Sequence, residues 1–148
     1  MFNKEQISLI ELIQKTSLSL GMQVYLVGGI VRDLLLKLSP DDRDLDFIIE
    51  GDSAKFCEKL SQELSADFKI FSNFLTAKLF TGKKFKTFDE VDFATARVET
   101  YAKPGSLPIV KAASLKDDLQ RRDFSINAMA FSVDEILILV ESDNFEDS

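Results

Sequence analysis

The stretch Arg43-Asp-Leu-Asp-Phe-Ile-Ile-Glu50 decides the fold. From Asp44 onward acidic and apolar residues alternate, and the run closes on Ile48-Ile49, the pattern of a half-buried strand. Strand periodicity sends Asp44 and Asp46 to one face and Leu45 and Phe47 to the other. Two carboxylates on one face are costly unless a cation joins them. A hard divalent ion such as magnesium, which takes oxygen ligands, is one such cation. A solvated strand edge, or pairing with Arg43, accounts for the same two residues without any ligand.

Upstream, Gln23–Val27 is short, apolar and β-prone, Gly28-Gly29 interrupts it, and Val31–Lys37 resumes a helical spacing: strand, glycine turn, helix. Glycines there let the backbone approach a ligand closely, and a helix start offers amide N–H groups to phosphate. Arg32 stands in the first turn, placed either to fork onto a phosphate oxygen or to pair with Asp33. Before this unit, apolar residues from Ile7 to Leu20 repeat at helical spacing and Gly21 stops them, which predicts a leading helix over residues 1–21.

Downstream, Ser53 is the expected N-cap of a helix running to Leu64. Phe68–Phe71, Ala77–Phe80 and Glu90–Thr95 follow as strands, so the sheet has about five strands in an α+β arrangement. Asp92, between Val91 and Phe93, projects from the face opposite theirs. If its strand neighbours that of Asp44 and Asp46, three carboxylates converge. Pro104, Gly105 and Pro108 predict a loop from Tyr101 to Pro108. Short helices are expected at Leu115–Leu119 and Asp123–Met129. Phe131–Val133 and Ile136–Val140 are expected to pair across Asp134-Glu135 as a hairpin, which ends in an acidic tail.

Composition narrows the chemistry. The chain of 148 residues has no histidine, which removes Ser-His-Asp triads, Cys-His pairs and imidazole zinc sites, so acid-base or metal chemistry falls to carboxylates. Cys57 is the only cysteine, so no intrachain disulfide forms, and it reads as a small buried hydrophobe. No apolar run has the length of a membrane span, and the first twenty residues carry Lys4, Glu5, Glu11 and Lys15, unlike a signal peptide; a cytoplasmic protein with no membrane partner is expected. The net charge of −7 is uneven. Asp134, Glu135, Glu141, Asp143, Glu146 and Asp147 lie in a C-terminal segment without lysine or arginine, leaving the first 133 residues near neutral. Within those, Lys83, Lys84 and Lys86, and Arg121 with Arg122, supply local positive potential or a solvated loop.

Three stretches in order carry more weight than any one alone: Leu26-Val-Gly-Gly-Ile-Val-Arg-Asp33, Arg43-Asp-Leu-Asp-Phe47 and Arg121-Arg-Asp-Phe-Ser-Ile-Asn-Ala-Met129. Together they closely resemble the head domain of bacterial tRNA nucleotidyltransferases (CCA-adding enzymes) and the related bacterial poly(A) polymerases, over about residues 22–133. The resemblance implies a polymerase-β-like nucleotidyltransferase fold, a mixed sheet flanked by helices that presents acids to Mg2+ and a nucleoside triphosphate. It makes Asp44 and Asp46 the metal-binding acids and matches Asp92 to an acidic position on the third active-site strand. Gly29 and Arg32 match nucleotide contacts, supported by Gly28 and Asp33. Arg122 matches the arginine that reads ribose and phosphates, with Asp123 and Asn127 in the same motif.

The implied reaction is transfer of CMP or AMP from CTP or ATP to the 3′-hydroxyl of a tRNA or other RNA, in 3′-CCA addition or repair. Template-independent adenylation, as in a poly(A) polymerase, uses the same acids. A third reading is an inert head that serves as a nucleotide-binding or protein-assembly module. The expected organisation is a head over residues 1–133, then a short hairpin strand and acidic tail over 134–148. Counterparts of the family's neck, body and tail do not follow, and a second protein chain is a possible source of the neck and RNA-binding helices.

Overall fold

Strand β2 (Leu45–Glu50) lies at the heart of a six-stranded sheet, and its alternation sorts the molecule into two faces. Leu45, Phe47 and Ile49 are buried in the main core; Asp46, Ile48 and Glu50 point the other way. The computed structural model describes residues 2–35, 45–82, 85, 89–107, 109–121 and 130–146. Asp44, Arg122, Asp123, Asn127 and the lysines Lys83, Lys84 and Lys86 lie outside the described residues, as does the helix expected at Asp123–Met129.

The chain order is α1 (Lys4–Leu20), β1 (Gln23–Val27), α2 (Gly29–Leu35), β2, α3 (Ser53–Leu64), β3 (Asp67–Phe71), a 3-10 turn (Ser72–Phe74), β4 (Thr76–Phe80) and β5 (Glu90–Thr95). Then follow β6 (Arg97–Thr100), β7 (Ile109–Ala112), α4 (Leu115–Arg121), β8 (Ala130–Ser132) and α5 (Val133–Glu146). The main sheet runs β3-β4-β5-β2-β1-β8, and β6 and β7 form a separate ribbon. Among the described residues only β2 and β5 pair in parallel; the other neighbours are antiparallel.

Helices α1, α3 and α5 cover the core face. The leading helix opens on a capping box, in which Asn3 and Gln6 bond each other's backbone, and closes on Gly21 in the left-handed conformation. On α3 the cap is Asp52 rather than Ser53, and its carboxylate accepts from the Ala54 and Lys55 amides. Ser53 instead donates its hydroxyl to the Leu75 carbonyl, and its amide donates to Thr95 Oγ1, which ties the helix start to the sheet. Phe56 of α3 packs against Phe93, and Phe93 stacks on Phe47 at 5.5 Å between ring centroids.

The opposite face is half covered. Leu115 of α4 packs on Val27, Ile48 and Ala96, and Glu50 holds that helix by accepting from the Leu115 amide at 3.0 Å and from the Tyr25 hydroxyl at 2.9 Å. Asp118, fully buried, accepts from the Arg97 amide at 2.7 Å.

Besides the α3 cap, one expectation is corrected. Residues 134–146 do not form a hairpin strand and tail. Ser132 and Glu135 bond each other's backbone as a second capping box and start α5, which carries Ile136–Val140 as helix, with Ile136 and Val140 in the core. The loop expected at Tyr101–Pro108 is present over its described residues 101–107, and its flanks pair as β6 and β7. No helix among the described residues is long and apolar enough to cross a membrane.

Cys57 is fully buried on α3, and burial pushes its thiol up to about 12 from the ordinary value near 9. Because the folded state favours the protonated thiol, this stabilisation is complete below about pH 9 and is lost as pH rises toward 12. Thiol labelling at pH 8 should therefore proceed only at the rate of opening and become immediate in denaturant; fast labelling of the native chain would show that Cys57 is accessible.

Candidate active site

In the parallel register Asp46 faces Asp92, and Phe47 faces Phe93 one step along. The same alternation that buries the two rings thus brings the two carboxylates side by side on the other face. Beyond β2, Val27 is the antiparallel partner of Asp46, so the glycine turn that follows Val27 arrives beside the acids. Gly28 has φ +95°, and a Cβ placed on it would stand 3.7 Å from Asp46 Oδ2.

Arg32 folds back over this turn. Its Nη2 lies 3.4 Å from where a Gly29 Cβ would be, and its Nε donates to Asp33 Oδ1 at 3.3 Å. Of the two readings of Arg32, the pair with Asp33 is the one made, and the guanidinium lies beside the glycine turn. On the other flank, Lys78 of β4 is the register partner of Asp92. Its ammonium lies 3.2 Å from Glu90 Oε2 and 3.7 Å from Asp92 Oδ1. Glu90, and after it Asp92, holds that ammonium above the ordinary lysine value.

Val27, Gly28, Asp46, Lys78 and Asp92 line a cavity of about 490 Å³ with Phe71, Phe74, Thr76 and Arg97. Arg97 donates from its guanidinium to the Phe74 carbonyl and so fixes the 3-10 turn at the cavity's edge. Of the residues singled out in sequence, Gly28, Asp46 and Asp92 line this cavity; Gly29, Arg32 and Asp33 follow Gly28 in the turn and first helical residues without lining it; Asp44, Arg122, Asp123 and Asn127 lie outside the described residues. Sequence reasoning missed Lys78, Phe71, Phe74 and Arg97. Lys78 was findable: it alternates with Ala77 and Leu79, which marks it for the acid-bearing face.

The donor set fits a hard divalent cation. Asp46 and Asp92 are oxygen donors presented in register from adjacent strands, with neither sulfur nor imidazole nearby. Among the described residues no group of three acids forms a complete cage.

A sheet with one parallel pair, acids on that pair and a glycine turn next to them is the arrangement of nucleotidyltransferase heads of the polymerase-β type. The chain belongs to the poly A polymerase head domain family, whose pattern matches residues 24–147. It is 46% identical over 112 residues to the A-adding tRNA nucleotidyltransferase of Aquifex aeolicus, covering 76% of this chain and 13% of that protein. Among solved structures it is similar to a CCA-adding enzyme in an apo form, with TM-score 0.76 and 38% identity over 89% of this chain and 30% of that one. It is also similar to a tRNA nucleotidyltransferase complexed with a primer tRNA and an incoming ATP analog, with TM-score 0.61 and 38% identity over 82% of this chain and 31% of that one. The chain thus spans less than a third of the length of each.

Gly28→Ala is expected to lower stability by about 1–2 kcal/mol, because an L side chain is strained at this positive φ. The measure is the denaturant midpoint; an unchanged midpoint would show that the turn accepts a side chain.

Proposed function

We propose that this head transfers a nucleotide, AMP from ATP or CMP from CTP, to the 3′-hydroxyl of a tRNA, with pyrophosphate as the leaving group. The single observation that carries the reading is the in-register pair Asp46 and Asp92 beside the Gly28 turn. The name of the Aquifex relative favours ATP as the donor. Family membership supports tRNA rather than messenger RNA only through the names of these relatives, and the chemistry of poly(A) addition would be the same.

Asp46 and Asp92, with Asp44 as the third acid by its place in the motif, would hold Mg2+. The ion supplies Lewis-acid polarisation of the transferred phosphoryl group and lowers the pKa of an attacking hydroxyl. The chain's own residues do the positioning. The Gly28-Gly29 turn leaves room for a triphosphate against the backbone, and Arg32 offers a guanidinium at its edge. Arg122, Asp123 and Asn127 are proposed to complete the nucleotide site. Lys78 offsets the charge of Asp92 before substrate arrives. Since transfer of a phosphoryl group asks mainly for alignment and charge stabilisation, this set has no need of histidine. The hold on the body of the tRNA is proposed to come from neck and RNA-binding helices of the kind found in the family, whether in the same protein or in a second chain.

The test is incorporation of labelled ATP and CTP into a tRNA lacking its terminal nucleotides, beside Asp46→Ala. We expect the variant to lose on the order of a hundred- to a thousandfold in rate while its melting curve stays cooperative. Equal incorporation by wild type and variant would overturn the assignment.

A further inference from the structure

Lys78 stands directly opposite Asp92 across the β4–β5 pair, yet its ammonium leans to Glu90, the diagonal neighbour on β5. It lies 3.2 Å from Glu90 Oε2 and 3.7 Å from Asp92 Oδ1. Glu90 and Asp92 share a face of their strand because side chains repeat every second residue. The register partner of Glu90 is Phe80, so the cation that Glu90 holds is the one the register assigns to Asp92. Lys78 and Asp92 line the cavity, and Glu90 stays outside its lining.

This sharing matters for a cation at the acid pair. An ammonium and a divalent ion compete for the same carboxylate. An ammonium held by Asp92 alone would have to be displaced outright, whereas one already shared gives up Asp92 and keeps Glu90. The pairs are partly open to water, where such a contact is weak enough to be exchanged.

We infer that Glu90 is a positioning residue that draws Lys78 off Asp92 and thereby sets how readily the pair Asp46 and Asp92 takes up a divalent cation. This rests on the reading of those two acids as the metal-binding ones. Glu90 acts through Lys78 and touches neither ion nor nucleotide. In the empty site the lysine offsets the charge of carboxylates that face each other in register. Once an ion takes over that task, the lysine and Glu90 remain as a neutral pair at the cavity's edge. Without Glu90 the ammonium closes on Asp92 and opposes the ion. A carboxylate that merely attracted cations through space would behave otherwise, since its field acts whether or not Lys78 is present.

The experiment is binding of Mn2+ alone to the full chain, followed by loss of the free-ion electron paramagnetic resonance signal at one pH and ionic strength. Lys78→Met, Glu90→Gln and the double variant change partly exposed side chains, and thermal melting checks that each folds. Lys78→Met is expected to bind Mn2+ about threefold more tightly than wild type, and Glu90→Gln about threefold more weakly. The double variant should match Lys78→Met, because without the lysine Glu90 has nothing to hold. A double variant that binds about threefold more weakly than Lys78→Met would show Glu90 acting by its charge alone and overturn the inference. So would a Glu90→Gln chain that binds as tightly as wild type. Asp46→Ala serves as the control for the site: wild type that binds no Mn2+, or binding undiminished in Asp46→Ala, overturns instead the metal-binding reading beneath.

Discussion

The parallel pairing of β2 with β5 is the constraint on which the remaining structure depends. One register sets Asp46 against Asp92 above the sheet and Phe47 against Phe93 below it. A slip by one residue would carry the carboxylates into the core and the rings into water. Burial of the Phe47, Phe93 and Phe56 rings therefore enforces the placement of the acids. Hydrophobic packing here specifies chemistry that it never touches.

The polar groups of β2 divide the upper face between site and scaffold. Asp46 lies in the cavity, Ile48 joins the small cluster under α4, and Glu50 accepts from Tyr25 and from the first amide of α4. Asp118 ties that helix to the start of β6. Glu50 and Asp118 serve as structure, whereas the strand positions of Asp46 and Asp92 open on the cavity. The helix so anchored is the one that leads into the Arg121-Arg122 motif.

Much of this was legible in the residues. Alternation located β2 and β5 and put Asp46 and Asp92 each on the face opposite its own apolar neighbours, since a period of two is a strong statement over five or six residues. The strand neighbours of Asp92 were not, because pairing order depends on contacts distant in sequence. Ile136–Val140 was misread as strand: an unbroken apolar run has no period to distinguish helix from sheet. Ser132-Val-Asp-Glu135 held the answer, for serine followed three residues later by glutamate starts a helix. The β6–β7 ribbon escaped notice because the prolines and glycine between its strands mark the loop but say nothing of what its flanks do. Phe71 and Phe74 stay exposed because one ends the edge strand β3 and the other sits in the turn after it, positions that sequence pattern alone does not reveal.

The two ends of the main sheet are unlike, and this bears on how the chain behaves in a crowded solution. At one end the described part of β8 has three residues and gives way at once to α5, a short template for another strand to join. At the other, β3 is exposed along its whole length, with Phe68 and Ile70 among its side chains. Such an edge invites pairing between molecules. Asp67 and Lys69 interrupt it with charge, so that two copies approaching edge to edge would have to desolvate an ion at alternate positions. Lys69 is thereby placed as a gatekeeper, its charge set where an edge-to-edge pairing would have to bury it.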